Sequence, residues 1–231
     1  LYIRPRFEAR DTLRAMSEHQ IHSIFMVPTM IRRVLDLPAD EHARWPTPAL
    51  RAIISGAAPF PQALRDRAML RFGEEHVFDF YGATELGWVT LIRGDEMRRK
   101  PGSVGTPIAG QQIAIFSEDG ARLDPGEVGL IHVRNEQTMH GYLNNEAATR
   151  ELQRGHWFSV EDLGRVDEDG YLYVEGRARD MVISGGVNIY PVEIEEILAR
   201  HPTVREVAVV GLPDDEWGER LEAAVTLEPG C

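Results

Sequence analysis

The chain has 231 residues, 43% apolar and 27% charged, the balance of an ordinary soluble globular protein with enough length to bury a sizeable core. Its formal net charge of -12 excludes a protein that coats nucleic acid or an anionic membrane by bulk electrostatics, so a polyanionic ligand must be held by local groups. One cysteine, Cys231, rules out an internal disulfide; with no apolar run long enough to span a bilayer and no cleavable leader, a cytoplasmic location is expected.

In chain order, residues 8–20 read as a helix and 23–27 as a short buried strand, with Thr29 placed to cap the helix that follows. Residues 50–55 form a second apolar strand. Pro61 sits at a favoured first helical position before a helix over 62–72, and 77–81 form a third strand. Short apolar strands alternating with helices argue for a parallel sheet with helices packed on it, over about 1–100. Ligands of such sheets bind beyond the carboxyl ends of the strands, where Gly56 and Gly82 fall.

From about 101 to 175 the texture changes to strand, turn and strand, with Glu118-Asp119-Gly120 and Asp167-Glu168-Asp169-Gly170 as hairpin turns. This predicts a small antiparallel β-barrel, interrupted by a helix over 146–153. Gly176 to Asp180 lacks apolar periodicity and reads as a linker. Beyond it come a hairpin at Gly185-Gly186, a helix opened by Pro191 with Ile194, Ile197 and Leu198 at core spacing, and strands over 204–210 and 223–227. The fold class is therefore α/β plus β. The later part of a large domain (1–177) is followed by a hinge and the first part of a small α+β domain (178–231).

The run Asp79-Phe80-Tyr81-Gly82-Ala83-Thr84-Glu85 carries the most chemistry. It combines an aromatic plate that can stack on a base, a glycine that lets the backbone turn, and threonine and glutamate oxygens suited to phosphate and a hard cation. By itself it also describes an ordinary strand-to-loop turn. The run resembles the Tyr-Gly-x-Thr-Glu core motif of the adenylate-forming superfamily, which includes acyl-CoA synthetases, luciferase-like enzymes and peptide-synthetase adenylation domains. Other blocks match in order: Gly56-Ala57-Ala58-Pro59 resembles the adenine-side loop, Asp162-Leu163-Gly164 the ribose segment, and Gly176-Arg177-Ala178-Arg179-Asp180 the domain junction. Ile183-Ser184-Gly185-Gly186-Val187-Asn188-Ile189-Tyr190-Pro191 is similar to the start of the small domain in the CoA-ligase branch.

The resemblance implies ATP, Mg2+ and coenzyme A as cofactor and co-substrates, with a small carboxylic acid as the other partner. It implies that Tyr81 stacks on adenine, with Phe80 and Gly82 also among the nucleotide-binding residues, that Asp79 accepts from the exocyclic amine, and that Gly56, Ala57 and Ala58 line the other side. Thr84 would contact phosphate, Glu85 the metal, Asp162 the ribose hydroxyls, and Arg177 phosphate or ribose. Arg179 takes the hinge position, and Ser184, Gly185 and Gly186 border the pantetheine path. Ser55, Phe80, Gly82, Leu86 and Trp88 are placed to wall the acyl pocket, although core packing explains large apolar residues equally well. His19 and His22 have no third ligand near them and read as helix-end residues.

Two departures are visible. Val160 and Glu161 precede Asp162 where the family presents a small residue and glycine, and Arg179 stands where it more often has aspartate or lysine. Lys100 is the only lysine, yet the family's phosphate loop and its small-domain catalytic position both use one. Together with an opening at Leu1 and an end at Cys231, this leads to the expectation of an internal piece, inactive alone, of an AMP-forming acyl-CoA synthetase. The rival expectations are an adenylation domain that loads a carrier protein and a non-catalytic nucleotide-binding descendant.

Overall fold

The computed structural model describes residues 1–3 and 5–228, which form two compact units; residues 4 and 229–231, Cys231 among them, lie outside the described residues. The first unit comprises Leu1–Gly82 and Thr90–Gly105. Its elements run α1 (Ala9–Glu18), β1 (Ser23–Phe25), α2 (Pro28–Leu35), α3 (Ala39–Arg44), β2 (Ala52–Ser55), α4 (Gln62–Phe72), β3 (Val77–Ala83), β4 (Gly87–Arg93), α5 (Gly94–Arg99) and β5 (Ser103–Pro107). β1 and β3 both pair with β2 in parallel, placing Phe25 beside Ile54 and Ser55 beside Asp79. β4 and β5 extend the order. Helices α1, α2 and α4 each bury apolar side chains along one face, whereas the short α3 buries none. In α1, Leu13 and Met16 are buried at helical spacing, and Glu8 caps the start by accepting from the Asp11 amide at 2.6 Å.

The second unit comprises Ala83–Val89 and the chain from Thr106 onward. It holds β6 (Gln112–Phe116), β7 (Gly129–Arg134), α6 (Glu146–Leu152), β8 (Gln153–Arg154), β9 (Trp157–Phe158), β10 (Asp162–Val166) and β11 (Leu172–Arg177). There follow β12 (Val182–Ser184), β13 (Val187–Ile189), α7 (Pro191–Leu198), β14 (Val204–Asp214) and β15 (Gly218–Leu227). β11, β10, β7, β9 and β8 lie in that order, β6 also pairs with β7, and the registered pairs are antiparallel. A separate four-stranded sheet has the order β13-β12-β15-β14. The α/β-then-β class read from the sequence is the class observed.

Several local expectations are corrected. Thr29 does not cap α2, because Pro28 already occupies its first turn and the cap position falls on Val27, which offers no side-chain hydrogen bond. Pro61 is likewise one residue outside α4. Gly82 does not turn the chain: β3 runs through it to Ala83, and the positive φ in this hairpin, 73°, is at Gly87. Gly176 and Arg177 belong to β11 and are no linker; only Ala178–Asp180 forms a short 3-10 turn. Ile197, assigned to the core of α7, is 66% exposed.

One polar contact ties the first unit together in its interior. The Arg65 guanidinium, carried by α4, donates to Asp79 Oδ2 on β3 at 2.7 Å and to the Ser103 carbonyl on β5 at 2.8 Å. Both side chains are within 3% of complete burial. Burial pushes the Asp79 carboxyl up from its usual range, and the charge of Arg65 opposes that shift. Removing one member of such a pair strands the other charge, whereas replacing both with apolar groups is close to neutral. We expect Arg65→Met to destabilise the protein by about 3–5 kcal/mol in urea unfolding. The double variant Arg65→Met/Asp79→Leu should recover most of that loss; equal destabilisation of single and double variants would refute the ion-pair account.

Candidate nucleotide site

In the first unit the predicted adenine-side residues gather at the carboxyl ends of β2 and β3. The backbone of Gly56 lies so close to Phe80 that a Cβ there would fall within 2.3 Å of the ring, so only glycine fits. Ala57 follows with φ of 67°, and both Ala57 and Ala58 are exposed. Phe80 also meets Phe25, with ring centroids 6.0 Å apart. Tyr81 and Gly82 are half-buried. The parallel register sets Ser55 next to Asp79; the Ser55 hydroxyl and Asp79 Oδ1 are both buried without a hydrogen-bond partner. Ser55 is sealed in the interior, which is not where an open acyl pocket would place it.

Thr84 and Glu85 sit in the second unit, in the turn between β3 and β4. Thr84 is exposed and Glu85 partly so, and Glu85 Oε1 accepts from the Tyr142 hydroxyl at 2.8 Å. Leu86 is fully buried, whereas Trp88 is 42% exposed. Residues 135–139 back this turn. The Asn135 side-chain amide donates to the Leu86 carbonyl at 3.0 Å, and the Met139 amide to the Glu85 carbonyl at 2.9 Å. An open groove of about 580 Å3 runs along Gln111, Arg134, Asn135 and Gln137. Tyr142 and Asn135 were not among the residues singled out from the sequence. Their signal is three-dimensional, because 57 positions separate Tyr142 from its partner.

Asp162 and Arg177 face each other across the β10–β11 pair, with Nε to Oδ1 at 3.6 Å. Asp162 is mostly covered and Arg177 is half exposed. The unusual Glu161 before Asp162 takes a left-handed φ of 64°, a conformation that glycine adopts without cost, and its carbonyl accepts from the Ala178 amide at 2.8 Å. Arg179 lies exposed in the short turn after β11, 3.6 Å from Asp180. Ser184 ends β12, and Gly185-Gly186 close the β12–β13 hairpin with φ of 58° and 80°, a two-residue turn that demands positive φ at both positions. Gly185 is further pinned beneath Trp217: its amide donates to the Trp217 carbonyl at 2.9 Å, and a Cβ would come within 2.7 Å of the indole. A Cβ on Gly186 would meet nothing within 4 Å.

Among the described residues no group of three or more histidine, cysteine, aspartate or glutamate side chains forms a metal cage. A lone carboxylate beside a hydroxyl, as at Thr84 and Glu85, nevertheless suits magnesium, which keeps waters and substrate phosphates and takes only one or two protein carboxylates.

Two family models match, the AMP-binding enzyme over residues 1–143 and the AMP-binding enzyme C-terminal domain over 193–230. The chain belongs to the AMP-binding, adenylate-forming enzymes. It is 34% identical over 224 residues to a medium/long-chain-fatty-acid–CoA ligase of Mycobacterium tuberculosis, covering 96% of this chain and 39% of that protein. The solved o-succinylbenzoate CoA synthetase of Bacillus subtilis, in complex with its acyl-adenylate intermediate, superposes with a TM-score of 0.84 at 32% identity. That match covers 98% of this chain and 45% of the other. The amide bond synthetase McbA of Marinactinospora thermotolerans gives a TM-score of 0.92 at 30% identity over 97% of this chain and 46% of that one. The chain thus spans less than half the length of these AMP-binding relatives.

The backbone at Glu161 generates a direct test. A left-handed non-glycine residue costs about 1–2 kcal/mol, of which glycine's extra unfolded-state entropy returns about half. Glu161→Gly should therefore raise stability by about 0.5–1 kcal/mol, read as a higher urea midpoint at unchanged slope. A lower midpoint would mean that the Glu161 side chain makes a compensating contact.

Proposed function

We propose that this chain is the later part of an ATP-dependent, AMP-forming acyl-CoA synthetase. The observation that carries the reading is a single family member with the Asp79–Glu85 run, the Asp162–Arg177 pair and the two-glycine hairpin, each in the expected order. In the proposed reaction an oxygen of the carboxylic acid bonds to the α-phosphorus of ATP as the bond to the β-phosphate oxygen breaks, releasing pyrophosphate. The thiolate of coenzyme A then attacks the acyl carbon, the bond to the AMP oxygen breaks, and AMP leaves.

Catalysis of this kind is mostly positioning and charge stabilisation. Tyr81 supplies a face for adenine, with Gly56, Ala57 and Ala58 opposite. Asp79 has one oxygen committed to Arg65 and one left without a partner, which is the acceptor an exocyclic amine would need. Asp162 would accept from both ribose hydroxyls while Arg177 offers its exposed edge to phosphate. Thr84 would bind phosphate. Bound magnesium, held by Glu85, would neutralise phosphate charge. Phe80, Gly82 and Trp88 would border the acid, and Arg179 would absorb the rotation of the small domain between the two half-reactions. The open side of Gly186 suits a passing pantetheine arm. The relatives named as CoA ligases favour coenzyme A over a carrier protein as acceptor, and the reducing cytoplasm is the compartment in which we place the enzyme.

The full-length enzyme is expected to exchange radiolabelled pyrophosphate into ATP only when a suitable carboxylic acid is present, with Glu85→Gln losing most of that exchange. Parental exchange by the Gln variant would refute the role of Glu85. Independently, Gly186→Asn keeps a residue that tolerates positive φ but fills the open side of the turn. It should slow thioester formation at least about tenfold while acid-dependent exchange stays near parental, because the turn serves only the second half-reaction. Equal loss of both activities would assign the turn to folding alone.

A further inference from the structure

The loop that follows β7 grips the turn carrying Glu85 at three points. Asn135 donates to the Leu86 carbonyl, the Met139 amide donates to the Glu85 carbonyl, and the Tyr142 hydroxyl donates to Glu85 Oε1 at 2.8 Å. The first two contacts hold backbone. Only the third reaches the carboxylate.

Tyr142 is itself fixed from behind. Its amide donates to the Thr149 hydroxyl at 3.0 Å, its carbonyl accepts from the Asn145 amide at 3.2 Å, and the Asn145 side chain caps α6 by accepting from the Ala148 amide at 3.1 Å. A ring that is 37% exposed thus stands on a hydrogen-bonded turn and is not a free surface side chain.

We propose that Tyr142 is a positioning residue for the metal-binding carboxylate, an inference that rests on the assignment of Glu85 to magnesium. A partly exposed glutamate has three free torsions, and a metal that binds it must freeze them. The Tyr142 hydroxyl freezes them beforehand, engages Oε1 and leaves Oε2 to face the cation. Hydrogen bonding also draws some charge from the carboxylate, which weakens a ligand, but the freed torsions cost more: freezing a glutamate lowers affinity by about tenfold, and outer-shell partners of metal ligands carry effects of at least that size. The balance favours weaker metal binding when the hydroxyl is removed.

The test uses the full-length enzyme with Mn2+ as probe, titrated by electron paramagnetic resonance in the presence of a non-hydrolysable ATP analogue. Thermal unfolding is followed in parallel. Tyr142→Phe is expected to raise the Mn2+ dissociation constant about tenfold with an unchanged unfolding midpoint, and to raise the magnesium concentration needed for half-maximal pyrophosphate exchange while sparing the rate at saturating metal. Glu85→Gln separates the two claims. If the Gln variant weakens Mn2+ binding and the Phe variant does not, the positioning role of Tyr142 is overturned while Glu85 keeps its assignment. If neither variant weakens it, the assignment of Glu85 falls and the inference falls with it. A Phe variant that only lowers the unfolding midpoint would reduce Tyr142 to a structural contact and overturn the proposal.

Discussion

The first unit depends on a charge placed where water does not reach. Arg65 joins a helix to two strands by donating to the Asp79 carboxylate and the Ser103 carbonyl, and no apolar residue could reach both acceptors. A buried pair of this kind contributes little net stability against an apolar replacement, because desolvating two ions offsets their attraction. What it contributes is geometry. Asp79 stands two residues before Tyr81 on the same strand, so fixing its carboxylate also fixes the register of the strand that presents the aromatic face. Fold and candidate site share one constraint here, and a substitution at Arg65 touches both.

In the second unit the restraint is spread over several short-range hydrogen bonds. A loop about fifty residues later backs the turn bearing Thr84 and Glu85 through Asn135, Met139 and Tyr142, and Asn135 is held in turn by accepting from the Gln137 and Thr138 amides at 2.6 Å. The Asp162–Arg177 pair is held differently, by the direct antiparallel register of β10 and β11. The strained backbone at Glu161 is tolerated because its carbonyl accepts from Ala178 just beyond β11. The departure from a family glycine is therefore accommodated by a contact only the fold reveals.

Much of this was legible in the sequence where local chemistry decides the outcome. The alternation of short apolar strands with helices, the two-glycine hairpin and the order of the motif blocks all follow from neighbouring residues. What the sequence concealed lies where distant segments decide. The strand read over 204–210 runs on through Gly211 and Pro213 to Asp214, because β14 lies at the edge of its sheet, where proline is tolerated. Gly82 reads as a turn, yet pairing carries β3 one residue past it. The partner of Asp79 could not be named, since an arginine on α4 looks like a solvated helix residue until the sheet is built beneath it. Tyr142 escaped for the same reason.

The acidic composition places a further demand on the proposed chemistry. With a formal charge of -12, the chain offers a nucleotide polyphosphate no favourable average field, and its two best-placed arginines are already engaged. Arg65 is spent in the interior, and Arg177 shares its charge with Asp162. Such pairing suits recognition of the uncharged adenine and ribose better than neutralisation of phosphates, because a paired guanidinium keeps its donors but loses much of its net charge. The phosphate charge must then be met by a cation and by groups beyond these residues. That division matches the proposed reading, in which Tyr81, Asp79 and Asp162 hold the nucleoside, Thr84 and the exposed edge of Arg177 touch phosphate without neutralising it, and the cation on Glu85 carries the counter-charge.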